Sequence, residues 1–232
     1  MHARLLLIAT LVLTSCATPT TRQAPTVVHS TGFLSNYSRL RPGAEGEAKL
    51  VYRAAGANLG QYTKLLLDRV VVVRQPNAAV PAQELQQLAD LLYGALYVRL
   101  RTYYVMVDVP GPDTLRVRAA LTEATASNPT LDTWSNVGPI VGTVSSLKKM
   151  ATGTNAFVGA ASVEGEVLDS QTGTVLLAAI DRRVGTKTLA GASDPWGDVK
   201  DAFNVWADAV VQRLQAMGGP TQPVPYWAQP RT

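Results

Sequence analysis

The sequence predicts a single α+β domain, with a roughly five-stranded, mainly antiparallel sheet and two helices packed on one face. Three observations lead there. Residues 81–100 and 194–217 repeat apolar side chains at three- and four-residue spacing, as amphipathic helices do. Shorter stretches run apolar and β-branched or alternate with period two, as strands do. The order is strand, helix, hairpin, hairpin, helix, which groups the helices against a mostly local sheet. A chain of 232 residues is long enough for one core, and 47% hydrophobic with 16% charged residues excludes wholesale disorder and coiled coil.

In chain order, residues 1–15 read as a signal peptide. Arg4 supplies a positive start, and Leu5 to Leu13 form an apolar run too short to span a bilayer. Leu13-Thr14-Ser15-Cys16 resembles a bacterial lipobox. That resemblance implies cleavage after Ser15 and acylation of Cys16, with several acyl chains giving stable anchoring. Ala17, rather than Asp, follows the cysteine; resemblance to sorted lipoproteins then implies the outer membrane, with the domain facing the periplasm. Residues 16–31 are rich in Thr, Pro and Gln and are expected to form a flexible tether.

Residues 32–62 carry no clear periodicity. Phe33, Leu34, Tyr37 and Leu40 are expected to tack this segment onto the core. Leu65 to Arg74 reads as a strand buried on both faces. Pro81 to Leu100 reads as a helix, with Leu85, Leu88, Ala89, Leu92, Ala95, Leu96 and Leu100 on one stripe. Tyr103 to Val109 and Thr114 to Leu121 read as a hairpin about the turn Pro110-Gly111-Pro112-Asp113. Phe157 to Leu168 and Val175 to Val184 read as a second hairpin. Pairing Asp169 with Thr174 sets Val167 opposite Leu176 and Val163 opposite Ile180. That register places Ser162, Glu164, Asp181 and Arg183 together on the other face, as a polar surface.

The final helix opens at Asp194-Pro195, buries Val199, Phe203, Trp206, Val210 and Leu214, and stops at Gly218-Gly219-Pro220. The Pro-rich residues 219–232 are expected to be extended or disordered. Residues 125–155, between the hairpins, are too long for an ordinary connection. Within them Ile140, Val141, Val144 and Leu147 fall at helical spacing beside Lys148 and Lys149, a candidate partner-binding insert.

Gly32-Phe33-Leu34-Ser35 with Tyr37-Ser38 and Leu40, the run Pro110 to Arg118, and Asp169-Ser170, Thr172-Gly173 and Asp181-Arg182-Arg183 together resemble the bacterial lipoprotein family of domain of unknown function 3313. The resemblance covers about residues 32–215 and implies no reaction and no catalytic residue.

The chemistry available is limited. There is 1 Cys and 2 His. Cys16 is the candidate lipidation site, His2 lies in the signal peptide and His29 in the expected tether, so residues 32–218 contain neither type. Histidine- or cysteine-dependent triads and the usual zinc sets are thereby excluded there, and no phosphate loop is present. No cofactor is expected. The formal charge of +4 is scattered, with Lys148-Lys149 and Arg182-Arg183 the adjacent basic pairs, which gives no nucleic-acid footprint.

Three readings follow. The first is a non-enzymatic envelope assembly or accessory factor, bound to the membrane through Cys16 and to an envelope protein through contacts. The second is a peptidoglycan- or glycan-binding module stacking sugars on Trp134, Tyr226 or Trp227. The third is a carboxylate-dependent hydrolase of an envelope polymer, which needs Glu164 or Glu166 brought against another acid such as Asp169 or Asp181.

Overall fold

The apolar stretches become one twisted sheet with two helices on one of its faces. In the computed structural model the described residues are 21–25, 30–74, 80–127, 159–186 and 194–230. The strands are β1 (Thr21–Gln23), β2 (Arg41–Pro42), β3 (Leu50–Arg53), β4 (Lys64–Leu67), β5 (Val71–Val72), β6 (Val105–Met106), β7 (Thr114–Thr125), β8 (Ala160–Asp169) and β9 (Val175–Gly185). The helices are α1 (Ala82–Leu100) and α2 (Gly197–Ala216). The sheet runs β2-β3-β9-β8-β7-β4-β6, with β1 also on β9 and β5 also on β7.

Both helices form where the periodicity predicts them. Leu85, Leu88, Ala89, Leu92, Leu96 and Leu100 of α1 are buried, as are Val199, Phe203, Trp206 and Leu214 of α2. Pro81 precedes α1 as its capping residue rather than opening the helix. Gly218, at φ +92°, turns the chain out of α2, and Gly219 N–H closes onto Leu214 O at 2.9 Å. This is the left-handed stop that a C-terminal Gly provides.

The sheet differs from expectation in size and direction. It has nine strands among the described residues rather than about five, and it is partly parallel. The predicted strand 65–74 divides at Asp68, whose N–H still bonds Val117 O at 2.9 Å, and β4 and β5 both run parallel to β7. Residues 103–121 do not form a hairpin. β6 pairs in parallel with β4, which lies between β6 and β7. Val105 N–H and Val107 N–H bond Thr63 O and Leu65 O, while Thr63 and Lys64 N–H bond Asp113 O. The turn at Pro110 therefore steps over β4, and α1 serves as the crossover that a parallel pair requires.

The second hairpin forms with a shifted register. Asp169 N–H bonds Thr174 O at 3.0 Å as the expected turn requires. Beyond the turn, Leu168 pairs with Val175 but Val167 pairs with Leu177, so Leu176 is an extra residue in a bulge. Val163 then faces Asp181, and Glu164 faces Ile180. One added residue exchanges the two faces of β9 for all that follows.

The main core lies between the helices and the sheet, around Leu65, Leu92, Leu115, Phe203 and Leu214. A smaller cluster on the opposite face joins Leu34 and Leu40 to Ala178 and Ile180. Residues 30–40 thus tack onto the sheet as expected, but on the side away from the helices. The expected tether is also shorter than residues 16–31, because Thr21, Arg22 and Gln23 pair with Gly185, Val184 and Arg183. The Pro-rich tail is ordered through residue 230. Val224 N–H bonds Thr102 O, and the Gln229 amide donates to Arg101 O and Tyr104 O and accepts from Met106 N–H.

Candidate functional site

The four residues expected to share a polar surface are divided by the bulge and mostly covered. Ser162 and Glu164 lie on the face away from the helices, Asp181 and Arg183 on the helix face. Glu164, Glu166 and Asp181 are 2%, 2% and 3% exposed, and Ser162 is buried as well. Buried carboxylates are tolerated when they are hydrogen-bonded, and each of these accepts at least two hydrogen bonds.

Residues 31–37 supply donors to the two glutamates. Thr31 Oγ1 and Tyr37 OH donate to Glu164 Oε2 at 2.8 and 2.6 Å. Ser35 donates its N–H to Glu166 Oε1 at 2.6 Å and its hydroxyl to Oε2 at 3.0 Å. Arg118 Nη1 adds a contact to Glu166 Oε2 at 3.3 Å, and its guanidinium lies 5.0 Å from the centre of the Phe33 ring. Asn36 Oδ1 accepts from Ser38 N–H and starts a single helical turn. That is the physical content of the motif Gly32 to Leu40: it is a strap stitched across β8.

The other motif residues are also bonded in place. Asp181 accepts from Trp206 Nε1 at 2.7 Å, Gln23 Nε2 at 2.6 Å and Lys49 N–H at 3.0 Å. Arg183 donates to Thr21 Oγ1 and O, tying β1 down, and burial pulls its pKa below the usual guanidinium value. Arg182 grips Glu123 with two nitrogens, and Ser162 donates to the same carboxylate. Asp169 accepts from Gln171 N–H, Thr172 N–H, the Thr172 hydroxyl and Tyr62 OH. Thr172 N–H above all lowers its pKa. Ser170 Oγ donates to Gly111 O and accepts from Gly111 N–H, clasping the two turns together.

The hydrolase geometry is therefore not assembled. Glu164 and Asp181 stand on opposite faces of the sheet, and Asp169 sits in the turn at the end of β8. Among the described residues no group of three or more His, Cys, Asp or Glu side chains is placed to hold a metal ion. Ser15, Cys16, Trp134, Ile140, Val141, Val144, Leu147, Lys148 and Lys149 lie outside the described residues. Tyr226 and Trp227 are 86% and 76% exposed on the turn that Gln229 pins.

A concave site exists elsewhere, and the periodic patterns did not point to it. A cavity of about 310 Å³ lies between the sheet and α2. The register explains it. Ala119, Gly165, Ala179 and Val51 stand side by side across β7, β8, β9 and β3, leaving a low trough. Leu92 and Leu96 of α1 and Trp206 and Val210 of α2 close it from above. At its polar edge Glu47 pairs with Arg53 and, at 2.8 Å, with Arg213. The signal available in the sequence was Gly165, a glycine inside a strand, which marks a place where something approaches closely.

The family described as "Protein of unknown function (DUF3313)" has a model that matches residues 29–210. The chain belongs to the DUF3313 family. The matched span of this DUF3313 chain takes in the strap, the sheet from β2 to β9, α1 and most of α2. No curated protein matches the chain. Among solved structures it is similar to the PelC dodecamer of Paraburkholderia phytofirmans, at 11% identity and TM-score 0.38, covering 68% of this chain and 94% of that one. It is similar to XCC0632 of Xanthomonas campestris, a DUF330 protein, at 11% identity and TM-score 0.34, with 72% and 87% covered. A DUF4136 family protein, BT2437 of Bacteroides thetaiotaomicron, is similar at 10% identity and TM-score 0.34, with 73% and 95% covered.

Proposed function

We propose that this DUF3313 protein is a non-enzymatic accessory factor of the outer membrane, anchored through lipid on Cys16 and acting in the periplasm through protein contacts. The observation that carries the non-enzymatic part is the use of Glu164, Glu166 and Asp181 as acceptors for the protein's own hydroxyl, amide and indole donors. Carboxylates so filled serve packing.

The placement of β1 supports the contact reading. Thr21 pairs with Gly185, Thr125 with Ala160 and Ala160 with Val184, so these residues share one end of the sheet. Cys16 is five residues before Thr21, a reach of at most about 18 Å. Ser127 and Gly159, the described residues that flank the candidate insert with Ile140 to Lys149, lie at that same end. Cys16→Ser tests the anchor. The expected result is movement from the membrane to the soluble periplasmic fraction, with loss of complementation at an unchanged folded level. Retention in the membrane fraction overturns it.

A glycan-binding reading is favoured by one observation, the exposed Tyr226-Trp227 pair on a turn held by Gln229. Co-sedimentation with sacculi that is lost in Trp227→Ala selects it; absence of co-sedimentation removes it.

A further inference from the structure

Protein interiors leave few voids larger than a water molecule, and small-ligand sites begin at about 300 Å³. The cavity under α2, at about 310 Å³, is of the second kind. Its shape is set by the row Ala119, Gly165, Ala179 and Val51 across four strands. At roughly 4.8 Å per strand, that row makes a slot about 14 Å long, suited to a chain rather than a ring. Val51, Leu92, Leu96, Val163, Leu177 and Val210 line it beside Trp206, and among the polar residues that also border it Asp181 is bonded by three donors.

The polar edge has a sign. Glu47 lies between Arg53 and Arg213, two cations to one anion. Hydrogen bonding from Ala44 N–H, with the two guanidiniums, holds the Glu47 carboxyl below its usual range, while Asp181, a buried acid that also lines the cavity, is bonded to Trp206, Gln23 and Lys49. A guanidinium has five N–H donors, leaving several on each arginine for an incoming anion.

We propose that this cavity binds a single acyl chain with an anionic head, the chain along the slot and the head at Arg213, which lines its edge. The site lies on the opposite side of the sheet from the strap and does not depend on lipidation of Cys16.

The test uses the full chain carrying Cys16→Ser and a mid-chain brominated stearate, whose bromines quench tryptophan at contact, Trp206 being in the wall. Saturable quenching is expected. It should weaken at least tenfold in Ala179→Leu or Ala119→Leu, which fill the slot, with the thermal midpoint unchanged or raised. Arg213→Gln should weaken binding of the acid several-fold and leave its methyl ester unaffected. Brominated phosphatidylglycerol vesicles form a second arm. Quenching from them with the same Ala179→Leu sensitivity assigns the chain to a bilayer lipid, and quenching by the monomeric acid alone assigns it to free fatty acid. Unsaturable quenching, or quenching equal in the filled variants, overturns the proposal. Should neither filled variant fold, native mass spectrometry of the chain with stearate decides: a one-to-one adduct supports the site and its absence overturns it.

Discussion

Tyr37 shows how much one side chain carries. Its hydroxyl donates to buried Glu164 and accepts from Phe33 and Leu34 N–H. A hydrogen bond to a charged group contributes about 1.5–3 kcal/mol, and the carboxylate left behind keeps its desolvation cost. Tyr37→Phe should therefore lower stability by about 2 kcal/mol in urea titration, while Tyr37 variants of an unstitched strap would show no change. Tyr104 is the opposite case. It is 1% exposed, its hydroxyl has no hydrogen-bond partner among the described residues, and burial pushes its pKa up to about 12. A tyrosine whose folded pKa is raised adds stability in full below the unfolded value near 10. That contribution is lost as pH rises through the folded value. Denaturation midpoints should thus fall between about pH 10 and pH 12, and Tyr104→Phe should flatten that fall. Removing an unsatisfied hydroxyl should also raise stability at neutral pH by about 1 kcal/mol.

At the scale of elements, helices were legible and strand neighbours were not. The stripes of α1 and α2 are local, so each is written in twenty or so consecutive residues. The position of β4 between β6 and β7 is a non-local pairing, and a strong turn at Pro110 gives the same sequence signal whether the chain makes a hairpin or steps over a strand. The bulge at Leu176 has no signal in the alternation either, yet it decides which residues share a face. Strand β3, Leu-Val-Tyr-Arg, is too short to show a period. The motifs were legible as motifs, but their meaning needed partners from distant segments, Ser35 for Glu166 and Gln23 for Asp181. A further element-scale requirement is at the start of α2. Asp198 bonds Gly159 N–H at 3.1 Å and lies against Gly185, where an added Cβ would meet its carboxylate. Gly185→Ala should cost roughly 1–3 kcal/mol, read from the urea midpoint; an unchanged midpoint would mean that α2 moves freely over β9.

For the molecule as a whole, β1 joins the sheet beside β9 from within what the composition suggested was a loose tether, and the strap packs on the face away from the helices. Thr21 and Ser127 lie at one end of the sheet and the Asp169 to Thr174 turn at the other, so the proposed anchoring through Cys16 puts the first end towards the membrane. Spin labels on Ser127→Cys and Gln171→Cys in membrane-bound protein should differ, with strong relaxation by lipid-headgroup paramagnets at residue 127 and little at residue 171. Equal effects at both would reject the orientation. In the function proposed above, buried Glu164 and Glu166 serve the fold and take no part in a reaction. Complementation of a deletion strain by the Glu164→Gln plus Glu166→Gln chain, at matched levels of folded protein, tests it most directly. Full complementation at that matched level is expected. A folded double variant that fails to complement would contradict it.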